Sequence, residues 1–305
     1  MRKYLGTRIL QSFISLIGLI VLVFFTVRLT GNPADLYLPV DASLEVRKEF
    51  AERHGFNDPI IVQFGRFTIQ LLKLDLGNSL RQDRPALTIV LEAMPTTLKL
   101  AVVTMTIAVF LAIVIGARAA FRPGGVFDRI GSVLSLGGAS APDFWVAITL
   151  ILLFAVRFRL LPTSGTGGFN FWILPITVLI LRPTGLITQV VRAAMISALA
   201  SPYIRTARAK GVGERSILFV HALRNASLSI LTVAGDQAVG FVNGAVIVET
   251  VFGWPGVGKL MIDAIIQRDF AIVQAAVVIT ASAIFVMNIA IDVIYAILDP
   301  RIRHR

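Results

Sequence analysis

Residues 9 to 27, ILQSFISLIGLIVLVFFTV, contain no charged side chain. A run of this length constrains the fold more than any other feature of the chain. About 20 apolar residues at 1.5 Å rise cross the hydrocarbon of a bilayer, and a helix satisfies its own backbone groups there. Met1-Arg2-Lys3 and Arg8 precede the run, as in a secretory leader. A leader's apolar region, however, covers only about 7 to 15 residues before a small-x-small cleavage site. This run is longer and ends in Arg28-Leu29-Thr30-Gly31-Asn32-Pro33, which predicts a retained first helix.

Five further runs follow the same logic. Residues 97 to 120 carry one charge, Lys99, and residues 132 to 156 are interrupted by Asp143 just after a proline. Residues 171 to 191 contain Arg182-Pro183, residues 227 to 250 contain Asp236 and Glu249, and residues 270 to 291 are uncharged. Only 15% of the chain is charged, against about 25% in ordinary soluble proteins. The expectation is an all-α integral membrane protein with six transmembrane helices. The net charge of +11 then fits basic loops at anionic lipid rather than nucleic acid. With no cysteine and with His54, His221 and His304 far apart, neither a thiolate site nor a histidine metal cluster is expected. No cofactor is expected either.

Lysine and arginine in short loops set orientation. Fifteen fall on one side, and only Arg157, Arg159, Lys259 and Arg268 fall on the other. Both termini are therefore expected in the cytoplasm, and an even number of spans agrees. The segments read as 1–29, a cytoplasmic start and first helix; 30–96, an extracytoplasmic loop; 97–299, the core; and 300–305, a basic cytoplasmic tail. A loop as long as 30–96 needs structure of its own. SLEVRKEFAERHG (43–55), with Ser as N-cap and Gly as stop, predicts one helix, and PIIVQFGRFTIQLLK (59–73), with Pro at the first helical position, predicts another.

The segment SPYIRTARAKGVGERSILFVHALRNA (201–226) joins the fourth and fifth spans. Ser201-Pro202 is a helix start, with a capping hydroxyl and a ring that needs no amide donor. Gly211 is a stop able to take the left-handed conformation, so residues 202–210 form a short cytoplasmic helix. Tyr203, Ala207 and Lys210 share one face, with Arg205 and Arg208 beside it, a surface suited to a partner's groove. A basic helix lying on lipid headgroups is the other reading of the same residues. Glu214 opens a second helix that runs through His221 into the membrane.

Charged and amide side chains inside spans are costly and face a bundle interior, a partner or a water-filled path. Arg182, Asp236, Asn243, Glu249, Asn288 and Asp292 are candidates for such a path. Pairing of Arg182 with Asp236, purely to fix packing, is the structural alternative.

GWPGVGKL (253–260) fits G-x-x-x-x-G-K, the phosphate-binding P-loop pattern, except that Leu260 replaces the magnesium-binding hydroxyl. The topology also puts it outside the cytoplasm, away from ATP, so a nucleotide-hydrolysing enzyme is disfavoured and no catalytic residue is expected. The glycines and proline read instead as turn chemistry, with Trp254, Pro255, Gly256 and Lys259 as candidates for an outer gate.

YIRTARAKG followed ten residues later by HALRN resembles the loop by which permease subunits of binding-protein-dependent ABC importers meet their ATPases. The closest resemblance is to the dipeptide/oligopeptide/nickel branch. GNPAD, QFGRF with LDLGNSL, ASAPDFW with LLPTSG, and VETVFGWPGVGKL with RDFAIVQ extend it along nearly the whole chain. The resemblance implies the type I importer permease fold, with 202–210 as the coupling helix between helices 4 and 5. Tyr203, Arg205, Thr206, Ala207, Arg208, Ala209, Lys210 and Gly211 would carry the ATPase contact. His221, Arg224 and Asn225 would brace the loop against helix five. Ser229 stands where the family usually has proline, which implies a softer bend there. The implied partners are a second, homologous permease subunit, two ATP-binding cassette ATPase subunits and an extracytoplasmic substrate-binding protein, in a bacterial plasma membrane. Peptides are the leading cargo, with nickel chelates, glutathione and oligosaccharides open. A self-contained secondary transporter is the alternative mechanism, although such transporters often show inverted repeats and more helices.

Overall fold

The computed structural model describes residues 2–29, 38, 42–53, 55–79 and 81–298. GNPAD, His54 and the basic segment 300–305 lie outside them, as does the side chain of Asn243. In chain order the helices are α1 (Arg2–Leu29), α2 (Leu44–Arg53), α3 (Ile60–Leu72), α4 (Ala86–Phe121), α5 (Val126–Ser140) and α6 (Asp143–Leu150). They continue as α7 (Asn170–Leu199), α8 (Pro202–Ala209), α9 (Glu214–Ser216), α10 (Leu223–Val251), α11 (Val257–Gln267) and α12 (Phe270–Leu298). Two π-helical stretches, Ile151–Arg157 and Ile217–Ala222, extend α6 and join α9 to α10. A small antiparallel hairpin, β1 (Asn78–Ser79) with β2 (Arg84–Pro85), precedes α4.

Five stretches are long and apolar enough to cross a bilayer: Ile9–Thr26, Ala86–Phe121, Asn170–Leu199, Glu214–Val242 and Phe270–Ile294. A sixth candidate is a bent pair of helices. Val126–Gly138 and Asp143–Arg157 qualify together but are bent by 107°. The run 132–156, which the sequence shows interrupted at Asp143, is two helices. Pro142 offers no amide donor and holds Ala141 before it in extended backbone (ψ 125°), so α5 stops there and α6 restarts at Asp143. The helix that holds the run 97–120 begins at Ala86, because LTIVLEAM is itself helix-forming and Pro95 is accommodated within α4.

The chain divides into two compact units, Arg2–Pro95 with Lys259–Ile289, and Thr96–Gly258 with the segment from Ala290. In the first, Phe24 of α1 is fully buried, with ring centroids 5.2 Å from Phe64 and 5.3 Å from Phe67 on α3. Gln63 donates to the carbonyls of Phe56 (3.0 Å) and Asp58 (2.8 Å), and Arg66 pairs with Asp58 at 2.6 Å. The QFGRF motif thus fastens the turn that enters its own helix. Pro59 is the N-cap of α3 rather than its first helical residue, because its ψ of 138° is extended. Ser43 caps α2 as the sequence predicts, accepting from the Val46 amide at 3.3 Å.

LDLGNSL and RDFAIVQ meet in this unit. Asp269, 1% exposed, caps α12 by accepting from the Ile272 amide at 3.3 Å, and its other carboxylate oxygen takes the Ser79 hydroxyl hydrogen. Arg81 Nε donates to the Gln267 carbonyl at 2.8 Å. A buried carboxylate needs such donors, which explains why these two short motifs occur together.

The second unit is organised around α7. Its pairing with α5 is so close that side chains are excluded at the crossing. A Cβ on Gly138 would stand 2.7 Å from the Leu181 carbonyl oxygen, and one on Gly185 would stand 2.6 Å from the Leu134 carbonyl oxygen. Small residues permit this approach where no hydrophobic effect drives helices together within lipid. Near the start of α5, Asp128 receives Arg192 Nε at 2.6 Å and Nη2 at 3.2 Å, plus the Gly124 amide at 2.8 Å. Gly138→Ala must displace backbone and is expected to destabilise by about 1–3 kcal/mol. Gly137→Ala, next to it with open space around it, should be neutral or stabilising. Thermal unfolding of the two purified variants checks the contrast.

Candidate functional site

Three places gather the residues singled out by sequence: the α8 loop, the turn before α11 and a cavity among α6, α7 and α10.

Helix α8 runs over Pro202–Ala209, with Lys210 as its cap and Gly211 at φ +77°, the left-handed stop the sequence predicts. Ser201 does not cap it. Its hydroxyl donates backward to the Ala198 carbonyl, so the start rests on Pro202 alone. The helix is held by Ile204, 0% exposed, in an apolar cluster with Met195, Ala198, Ile217, Leu218 and Ala222. Ala207, three residues on, is half-buried. Tyr203 (40% exposed), Arg205, Thr206, Arg208, Ala209, Lys210 and Gly211 stay at the surface. Ala207 therefore lies at the margin between the anchoring face and the outer one shared by Tyr203 and Lys210. Arg208 is oriented by Glu214 at 3.1 Å.

His221, Arg224 and Asn225 are exposed, and among the described residues their side chains make no hydrogen bond. The apolar side chains of Ile217, Leu218 and Ala222, in the π-helical stretch, receive Ile204.

The turn before α11 has an unexpected content. Glu249, 0% exposed at the end of α10, accepts from the Gly258 amide at 2.7 Å and from the Thr97 hydroxyl at 2.6 Å. Thr97 Oγ1 in turn accepts from the Val257 amide at 2.9 Å. A Cβ on Gly256 would stand 2.2 Å from Glu249 Oε1, and one on Gly258 would stand 2.8 Å from Oε2. The glycines that imitate a P-loop let the chain's own carboxylate occupy a helix N-terminus, where free amides favour an anion.

Trp254 is 2% exposed and meets Trp172 edge-on at 4.7 Å between ring centroids. Gly256 is buried as well. These two candidates for an outer gate lie in packed interior, where Gly253 (φ +60°) turns the chain beside Ser164. Pro255 is exposed, and Lys259 is half-buried and paired with Asp263. The LLPTSG motif supports the turn, with the Gly165 amide donating to the Phe252 carbonyl at 2.8 Å.

The cavity, about 460 Å³, is lined by Asp143, Arg182, Asp236 and Gln237, with Gly240 and Gly244 among the smaller residues. Arg182 and Asp236 are thus brought to one space but do not pair, contrary to the structural alternative for them. Glu249 is not part of this lining, and neither are Asn288, exposed on α12, and Asp292, half-buried on it. Sequence reasoning missed Asp143, although ASAPDFW and its preceding proline marked the helix break that presents it. It also missed Ile204, the one large aliphatic side chain in PYIRTARA.

Truncating Ile204 to Ala removes the anchor and should cost about 2–5 kcal/mol at that contact. The helix would then open more often, so trypsin should cut after Arg205 and Arg208 faster than in the parent, as followed by limited proteolysis.

A family model described as binding-protein-dependent transport system inner membrane component matches residues 108–304. Among curated relatives, the oligopeptide transport system permease protein AppB of Bacillus subtilis (strain 168) is 35% identical over 316 residues, covering 100% of both chains. The glutathione transport system permease protein GsiC of Salmonella paratyphi A (strain ATCC 9150 / SARB42) is 33% identical over 306 residues, again covering 100% of both. The dipeptide transport system permease protein DppB of Alkalihalophilus pseudofirmus is 32% identical over 333 residues with the same coverage. A solved structure of an amino acid ABC transporter with histidines superposes with a TM-score of 0.51 at 18% identity, covering 70% of this chain and 94% of that one. At that identity the likeness speaks for the fold alone. The chain belongs to the family of binding-protein-dependent transport system inner membrane components, and is a multi-pass permease subunit of an ABC importer.

Proposed function

We propose that this chain forms half of a translocation path for peptides, with α8 as the helix that docks on a partner ATPase. The observation that carries this reading is the division of α8 into two faces. Ile204 fixes it to α7 and the π-helical stretch, while Tyr203, Arg205, Thr206 and Arg208 remain exposed. An aromatic and arginines on a rigid support are the side chains that dominate protein interfaces. The relatives named for oligopeptide, dipeptide and glutathione transport support peptides as cargo.

ATP chemistry belongs to the partner subunits in this reading. The glycine turn at 253–258 is already occupied by Glu249, and Lys259 is engaged with Asp263, which speaks against phosphate binding there. The excess of basic residues around α8 supports a cytoplasmic position for that loop and for both termini. A second permease subunit, two ATPases and an external binding protein complete the proposed assembly.

Tagged chain expressed with its companion subunits should retain the ATPases on purification. The double substitution Tyr203→Ala, Arg205→Glu should reduce their recovery by ~10-fold or more, as expected for interface hot spots, without lowering the amount of folded chain. Undiminished recovery from this variant would remove α8 as the docking element. Transport by the chain alone, driven by a proton gradient in liposomes, would replace the importer reading with a secondary transporter.

A further inference from the structure

The cavity among α6, α7 and α10 contains three charged groups that the fold itself does not neutralise. Arg182 lies twelve residues inside α7 from Asn170, ~18 Å along the axis at 1.5 Å per residue. Asp236 lies thirteen residues inside α10 from Leu223, ~20 Å by the same measure. Asp143 opens α6 at the break of the third span, and its carboxylate lies beside α10, where a Cβ on Gly244 would stand 3.2 Å from Oδ2.

Charges this far within a span normally pair with one another. Here they do not. Among the described residues neither the Arg182 nor the Asp143 side chain has a hydrogen bond or ion pair, and the Asp236 carboxylate has only its neighbour Gln237, at 3.4 Å. Mutual packing therefore does not explain why these groups are there. What they share is a space of about 460 Å³, within the range of roughly 300–1,000 Å³ that small-molecule sites occupy.

We infer that this cavity is a subsite for the charged ends of a zwitterionic solute in transit, specifically an unblocked short peptide. Arg182 meets the solute's carboxylate, for which its planar fork of donors is suited. Asp143 and Asp236 meet its ammonium group. One cation and two carboxylates, held apart across a cavity, match a ligand that carries both signs. A neutral sugar would leave all three charges without a counterpart. Gly240 and Gly244 leave part of the α10 wall without side chains, beside Asp236 and Gln237, which gives room for varied residues between the two charged ends. This inference rests on the reading of the chain as half of a peptide path.

The test uses the complete importer, with its second permease, ATPases and binding protein, reconstituted in liposomes. Trialanine is the probe, because its only charges are its ends. Arg182→Gln and Asp236→Asn should each lower its ATP-driven uptake by ~10-fold or more, the loss expected for a hydrogen bond to a charged group, while Arg182→Lys retains most of it. Uptake at the parent rate in the first two variants overturns the subsite. Should they fail to fold, Gln237→Cys decides, since the chain has no other cysteine. Trialanine should slow modification of the introduced thiol by a small cationic methanethiosulfonate at least about threefold, and an unchanged rate overturns the proposal. A parent chain that assembles with no ATPase sinks the importer reading instead, and protection of the Gln237→Cys variant still reports separately on the cavity.

Discussion

The crossing of α5 and α7 at Gly138 and Gly185 is the contact on which the second unit depends. Two backbones approach so closely that even one methyl group would collide with a carbonyl on the facing helix. Between apolar segments in lipid there is no hydrophobic gain from association, so dispersion across such an interface carries the attraction. The crossing sets the course of α7, and with it the positions of Arg182 and Pro183 at the cavity and Arg192 at the paired carboxylate of Asp128. Further along α7, Met195 and Ala198 form part of the apolar bed that receives Ile204. One tightly fixed helix therefore positions both the polar cavity and the exposed α8.

Carboxylates complete this architecture at the ends of helices. Asp269 serves α12, and Glu249 serves the start of α11. Each is almost fully buried, and each has both a backbone amide and a hydroxyl as donors: Ser79 for Asp269, Thr97 for Glu249. In both cases the hydroxyl comes from a segment more than a hundred residues away in sequence. These are long-range ties made with local chemistry, and burial without the donors would be prohibitive.

The long helices were legible in the sequence because apolar runs with no more than two charges leave a membrane helix almost no alternative. The left-handed stop at Gly211 was legible too, since the residue type itself carries the conformational preference. GWPGVGKL was less so. Its glycines were rightly read as turn chemistry, but nothing local tells that they make room for Glu249, or that Trp254 faces inward to Trp172. The same limit explains Ile204 and the trio of His221, Arg224 and Asn225. A short polar helix does not announce which of its sides is covered, since that is decided by residues ten or more positions away. Asp143 was hidden for a different reason. Its place in the cavity follows from the 107° bend at Pro142, and a proline signals a break without giving its angle.

Helix α10 connects two of these places directly. It extends uninterrupted from Leu223 to Val251, 29 residues or ~44 Å at 1.5 Å each, with Ser229 where proline would have introduced a joint. At one end the Ile217–Ala222 stretch supports α8, and at the other Glu249 clamps the turn at 253–258. One continuous helix thus carries at its two ends the apolar bed of α8 and the carboxylate that holds the glycine turn.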